Sequence, residues 1–127
     1  MAEGAQILIV EDNDKNMKLF RDVLIAKGYR TLEATTGEQA VALAAERSPD
    51  LVLMDIQLPD IDGVEALGRL RADGRTTSVP VLALTAQAMD GDRERFLAAG
   101  FDGYLSKPVD IAEFIATVNL YCEGGSQ

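Results

Sequence analysis

Short apolar runs alternate with longer amphipathic stretches along the chain. Ile7-Leu8-Ile9-Val10, Leu51-Val52-Leu53-Met54 and Val79-Pro80-Val81-Leu82-Ala83-Leu84 are apolar segments, each halted by a polar or charged side chain. Segments of this kind suit strands buried on both faces. Tyr29 to Glu33 and Gly103 to Ser106 are weaker strand candidates, nearer the sheet edges. Pro80 fits only at the start of its strand, where its missing N–H breaks no ladder bond.

Helical spacing fills the intervals. Met17, Phe20 and Leu24 share one face of a first helix, with Gly28 placed to cap its end. Thr36-Gly37-Glu38-Gln39 reads as a capping box ahead of Val41, Leu43 and Ala44. Val64, Leu67 and Leu70-Arg71 mark a third helix, and Ala88 to Ala99, closed by Gly100, a fourth. Ile111, Phe114, Ile115 and Val118 mark the fifth. The pattern is a strand–helix unit repeated five times. It predicts a doubly wound α/β fold in three layers, a parallel sheet between helices, with right-handed crossovers.

Composition narrows the picture. The chain has 127 residues, 47% hydrophobic and 26% charged, which suits one domain with its own core. The expectation is a single domain over 1–127, with a core of about 6–121. No internal repeat, linker, signal peptide or long apolar span is visible, and a cytoplasmic location is expected. At most about seven residues follow the fifth helix, so no output domain is expected. The net charge of −9 disfavours nucleic acid and anionic membrane as partners. The chain has no histidine, which excludes a Ser–His–Asp triad, a Cys–His pair and His-ligated zinc. The one cysteine, Cys122, excludes an internal disulfide and any Cys-rich metal site, and reads as a small hydrophobe.

Polar residues collect where the strands stop. Glu11 and Asp12 follow the first strand, Asp55 the third, Thr85 the fourth and Lys107 the fifth. In an open α/β sheet ligands bind beyond the carboxyl ends of the strands, so these residues converge on one edge. Three carboxylates there repel one another, and a hard divalent ion such as Mg²⁺ relieves the repulsion. Lys107 adds a fixed positive charge. A carboxylate beside a metal and a lysine is equipped to attack a phosphoryl group, with both cations steadying the charge on its oxygens.

The set Glu11-Asp12, Leu53-Met54-Asp55-Ile56-Gln57-Leu58-Pro59, Gly63, Thr85-Ala86 and Lys107-Pro108, in this order, resembles the CheY-like receiver domain of two-component response regulators over nearly the whole chain. Val10-Glu11-Asp12-Asn13, Asn16-Met17-Lys18-Leu19-Phe20 and the segment around Asp55 resemble DivK-type single-domain regulators in particular.

The resemblance implies a flavodoxin-like sheet of five strands in the order 2-1-3-4-5. It makes Asp55 the phosphoacceptor, charged by a sensor histidine kinase or a histidine phosphotransfer protein. It gives Mg²⁺, for which Mn²⁺ could substitute, to Asp12, Asp55 and the Gln57 backbone carbonyl, with Glu11 acting through water. Lys107 would pair with Asp55 and then with the phosphoryl group, Thr85 would swing its hydroxyl onto it, and Tyr104 would turn inward in response. The Lys107–Pro108 bond would be cis, and Gln57 and Gln87 would tune dephosphorylation. The resemblance further implies a monomer or weak dimer, signalling to a protein partner through the fourth helix, fifth strand and fifth helix. It would be no enzyme beyond its own phosphorylation and dephosphorylation.

Blander readings stand beside these. Asn13 or Asp14 could cap a helix, Thr85 could cap the fourth, Lys107 could be a surface lysine and Tyr104 a static edge aromatic. Asp60 and Asp62 read as loop and turn residues, and glycine in Asp90-Gly91-Asp92 would leave the start of the fourth helix loosely held. A receiver-like module that is never phosphorylated is one alternative. An aspartyl-phosphate phosphohydrolase is another, though the position of its general acid holds Gln57.

Overall fold

The computed structural model describes residues 4–86 and 92–122. Five strand–helix units follow in order: β1 (Gln6–Val10), α1 (Asp14–Ala26), β2 (Arg30–Ala34), α2 (Gly37–Arg47), β3 (Leu51–Asp55), α3 (Gly63–Ala72), β4 (Val81–Thr85), α4 (Asp92–Ala99), β5 (Gly103–Ser106) and α5 (Ile111–Cys122). All neighbouring strands pair in parallel, in the order β2-β1-β3-β4-β5. Their carboxyl ends therefore share one edge, as the alternating pattern predicts.

The strand residues divide the core between two faces. Leu8, Val10, Val52, Met54, Val81 and Ala83 pack with Ala40 and Ala44 of α2, Leu67 and Leu70 of α3, and Phe96 of α4. Ile7, Ile9, Leu51, Leu53, Leu82 and Leu84 pack with Met17, Phe20 and Leu24 of α1 and Phe114 and Val118 of α5. The Phe20 and Phe114 rings stack with centroids 5.1 Å apart, joining α1 to α5. No helix among the described residues is long and apolar enough to cross a membrane.

Several boundaries differ from expectation. β4 starts at Val81, so Pro80 precedes it, and the Pro80 carbonyl accepts the Val52 N–H at 2.9 Å. β3 and β4 run on through Asp55 and Thr85, which are the last strand residues rather than the first loop residues. The ladder explains this, because Asp55 pairs with Leu84 and Thr85 with Ser106. Val64 is 42% exposed, and α3 turns Ala66, Leu67 and Leu70 inward instead. Thr36 caps α2 by accepting the Gln39 N–H, but the Gln39 side chain returns to the N–H of Thr35, not of Thr36. Gly28, at φ +91°, follows the C-cap residue Lys27 of α1. Gln87 and the expected start of the fourth helix, from Ala88 through Asp90-Gly91, lie outside the described residues, and α4 is described from Asp92.

Candidate functional site

Each residue at the carboxyl edge is placed by a strand end. Past β1, the Glu11 N–H donates to Ala34 at 3.0 Å and extends the β1–β2 ladder by one step. That holds the Glu11 side chain inside the crevice, 1% exposed, while the next residue, Asp12, is exposed. Asn13 then starts the helix, its side chain capping α1 by accepting the Asn16 N–H at 3.0 Å. Past β3, the Ile56 N–H donates to Leu84 at 3.0 Å, and Asp55 stands 5% exposed beside Glu11. Past β5, the Lys107 N–H donates to the Thr85 carbonyl at 2.7 Å. The peptide bond that follows, Lys107–Pro108, is cis.

Lys107 bridges two carboxylates. Its Nζ lies 2.7 Å from Glu11 Oε2 and 2.9 Å from Asp55 Oδ2. The second oxygen of each acid is also engaged, because Glu11 Oε1 accepts the Asn13 N–H at 3.3 Å and Asp55 Oδ1 accepts the Gln57 N–H at 2.9 Å. Burial is the main cause that raises the Glu11 carboxyl above its ordinary range; the Lys107 bond opposes it, and Asp55 adds to it. Burial also pulls the Lys107 ammonium down, but its bonds to Glu11 and Asp55 outweigh that and hold it above the usual lysine value. An ion pair alone would lower Glu11. The opposite direction reflects its deeper burial and the second carboxylate beside it.

One ammonium thus faces a cluster of three acids, since Asp12 stands beside the two that Lys107 bridges. Ligand oxygens of Glu11, Asp12 and Asp55 all lie within 4.8 Å of one another. Opposite oxygens around an octahedral Mg²⁺ are about 4.2 Å apart, so a small contraction lets this donor set share one ion. All-oxygen donors and uncompensated negative charge suit a hard cation. The cluster opens into a cavity of about 400 Å³, walled also by Asn13, Asn16, Gln57 and Ala86.

The expected residues fall in three groups. Glu11, Asp12, Asp55 and Lys107 meet in one cluster, with Gln57 bonded to Asp55 through its backbone. Thr85 is buried at the end of β4, well before the described start of α4. Tyr104 is half-buried on β5, paired with Ala83, its ring centroid 6.0 Å from that of Phe96. Gln87 lies outside the described residues.

Some features of the site go beyond the sequence pattern. The Glu11–Lys107 pair is one, and its signal is the placement of both residues at strand ends. Asp62 caps α3 by accepting the Glu65 N–H at 2.8 Å. Asp60 reaches across to α2, with its Oδ1 and Oδ2 accepting the N–H groups of Gly37 and Glu38 at 2.8 and 2.9 Å. No local pattern signals that long-range bond.

Comparison with known proteins adds an independent line. The response regulator receiver domain family matches residues 7–119. The chain is 48% identical to the polar-differentiation response regulator DivK of Brucella ovis over 115 residues, which cover 91% of this chain and 94% of that protein. Among solved structures, it is similar to the receiver domain of a sensor histidine kinase from Pseudomonas aeruginosa, with a TM-score of 0.86 and 40% identity over 94% of this chain and 98% of that one. That domain was solved with a magnesium ion coordinated in its active-site cleft. The chemotaxis protein CheY4 of Vibrio cholerae is similar with a TM-score of 0.85 and 25% identity, covering 91% of this chain and 97% of that one.

Proposed function

The chain belongs to the response regulator receiver domain family, and on that premise we propose that it is a phosphoacceptor switch with Asp55 as the acceptor. One observation carries the reading: Lys107 bridges Asp55 and the buried Glu11 beside the exposed Asp12, at the carboxyl edge of the sheet. A surface lysine or a simple helix cap would not require two buried acids to share one ammonium.

The donor is a phosphohistidine on a sensor histidine kinase or a histidine phosphotransfer protein. An Asp55 carboxylate oxygen attacks phosphorus, the P–N bond breaks as the P–O bond forms, and the departing imidazole takes up a proton. Asp12, Asp55 and the Gln57 carbonyl would hold Mg²⁺ directly and Glu11 through water, and the ion would neutralise charge on the phosphoryl oxygens. Mn²⁺ meets the same oxygen donors.

Lys107 then exchanges its Asp55 partner for a phosphoryl oxygen while keeping Glu11. The new group carries about −1.5 to −2 charge, and the Thr85 hydroxyl turns toward it. Tyr104, two ladder steps back on the neighbouring strand, follows by turning inward. The Gln57 and Gln87 side chains govern access of water to the acyl phosphate.

The output is a change in the α4-β5-α5 surface, read by a protein partner. A cleft of about 420 Å³ there, lined by Leu97, Tyr104, Leu120 and Tyr121 among others, supports that reading. The protein acts in the cytoplasm as a monomer or weak dimer and catalyses only its own phosphorylation and dephosphorylation.

Mass spectrometry after incubation with acetyl phosphate and Mg²⁺ tests this. Wild type should gain one phosphoryl group, labile to hydroxylamine, and Asp55→Asn should gain none. Undiminished incorporation in Asp55→Asn would reassign the acceptor. No gain from either acetyl phosphate or a histidine-phosphorylated donor protein would favour a binding module that is never phosphorylated.

A further inference from the structure

The acceptor loop is fastened to a helix that takes no part in the chemistry. Gly37 and Glu38 are the first residues of α2, whose earliest N–H groups have no partner within the helix. Asp60 takes one with each carboxylate oxygen, at 2.8 and 2.9 Å. α2 already has its own cap, because Thr36 accepts the Gln39 N–H at 3.1 Å. What Asp60 adds is a link between α2 and the segment that follows Asp55.

Packing repeats the link. A Cβ built on Gly37 would lie 2.4 Å from Ile61 Cγ1, so the loop rests on α2 at the closest approach glycine allows. The far end is equally tight. A Cβ on Gly63 would lie 2.6 Å from the Asp55 carbonyl oxygen, and the Gly63 N–H donates to Ile56 at 2.8 Å. Between these anchors the Gln57 N–H holds Asp55 Oδ1. Burial raises the Asp60 carboxyl, but backbone N–H groups, those of Glu38 and Gly37 foremost, together outweigh it and bring it down to about 2, so the link is charged at any working pH.

We infer that Asp60 is a positioning residue: by tying residues 56–62 to the start of α2, it sets where Asp55 and Gln57 stand toward the metal and the phosphoryl group. This rests on the phosphoacceptor reading of Asp55. Asp60 itself touches neither metal nor phosphate, so its effect passes through the loop backbone, as outer-shell groups act on metal ligands.

The test compares wild type, Asp60→Ala, Asp60→Asn and Thr36→Ala, the last weakening the same helix end while leaving the loop link in place. In the metal-free proteins, the Ile56 and Gln57 amide resonances should shift in Asp60→Ala and stay in Thr36→Ala. The Mg²⁺ dissociation constant, measured by titration well below the unfolding temperature, should rise about tenfold in Asp60→Ala. It should rise less in Asp60→Asn, which keeps one acceptor, and not in Thr36→Ala. Asp60→Asn carries the test if Asp60→Ala does not fold. Unmoved amides and an unmoved Mg²⁺ affinity in the Asp60 variants, or equal effects in Thr36→Ala, would overturn the inference. Failure of wild type to bind Mg²⁺ or take phosphate would instead overturn the acceptor reading.

Discussion

Lys107 and Thr85 are joined through the backbone, where the Lys107 N–H donates to the Thr85 carbonyl at 2.7 Å, one step beyond the last paired residues of β4 and β5. The origin of the lysine side chain is therefore fixed by the sheet and not by its ion pairs. Removing the ammonium should unbalance the charge without dislodging the chain.

Lys107→Met makes that separation visible. Glu11 and Asp55 would face each other without their shared cation. Breaking a buried pair costs about 3–5 kcal/mol, and because the Lys107 side chain is 18% exposed, about 1–3 kcal/mol is expected here. The loss should be largest at neutral pH without divalent ions. It should shrink as pH falls and Glu11, raised by its burial, takes up a proton, and Mg²⁺ should stabilise the variant more than wild type. Urea unfolding with and without Mg²⁺ at two pH values reads all three effects, and a gap that did not change with pH would place the lysine's contribution in packing.

Glu11→Gln probes the opposite sign. Burial raises the Glu11 carboxyl, so the folded state holds that proton more tightly than the unfolded chain. Its favourable contribution is complete below the unfolded value and is lost as pH rises through the raised folded value. Above that window the wild type carries a buried charge that glutamine lacks. In EDTA, Glu11→Gln should gain relative stability as pH rises from about 4 toward 7, and Mg²⁺ should stabilise it less than wild type. A stability difference that runs the other way with pH would mean the Lys107 bond outweighs burial.

Much of this arrangement is written locally. The apolar runs of β1, β3 and β4 are short and two-faced, and the fold rule that gathers strand ends needs no further information to bring Glu11, Asp12, Asp55 and Lys107 together. What pattern alone could not convey depends on contacts between distant segments. The true ends of β3 and β4 are set by ladder bonds to the neighbouring strand. Val64 has the spacing of an inward residue, yet α3 is rotated by the fit of Ala66 and Leu67 against the sheet. The Gln39 side chain satisfies a neighbouring N–H rather than the one a capping box specifies. Asp60 looks like any loop aspartate until α2 is folded beside it.

Two glycines of α3 should respond oppositely to alanine. A Cβ on Gly63 would meet the Asp55 carbonyl oxygen at 2.6 Å and the Ile56 Cα at 2.9 Å, and backbone cannot step aside. Gly63→Ala should cost about 1–3 kcal/mol of stability and slow phosphoryl uptake by displacing Asp55. Gly68 has nothing within 4 Å of its Cβ position and lies inside the helix, so Gly68→Ala should add about 0.5–1 kcal/mol. Chemical unfolding of the two variants beside wild type reads the contrast, and a destabilised Gly68→Ala would mean that α3 does not persist as described.

Asp60 should leave a signature in acid. Burial acts to raise its carboxyl, but backbone N–H groups, those of Glu38 and Gly37 foremost, together outweigh that and bring it to about 2, below the ordinary 3.8. A group depressed in the folded state contributes stability above its unfolded value and loses it as pH falls through the folded one. Asparagine at this position has no such proton to bind. The stability difference between wild type and Asp60→Asn should therefore be constant above the ordinary carboxylate range and close between there and pH about 2. Thermal unfolding of both proteins across that window measures it. A difference that persisted unchanged through it would mean that Asp60 acts on α2 by shape and not by charge.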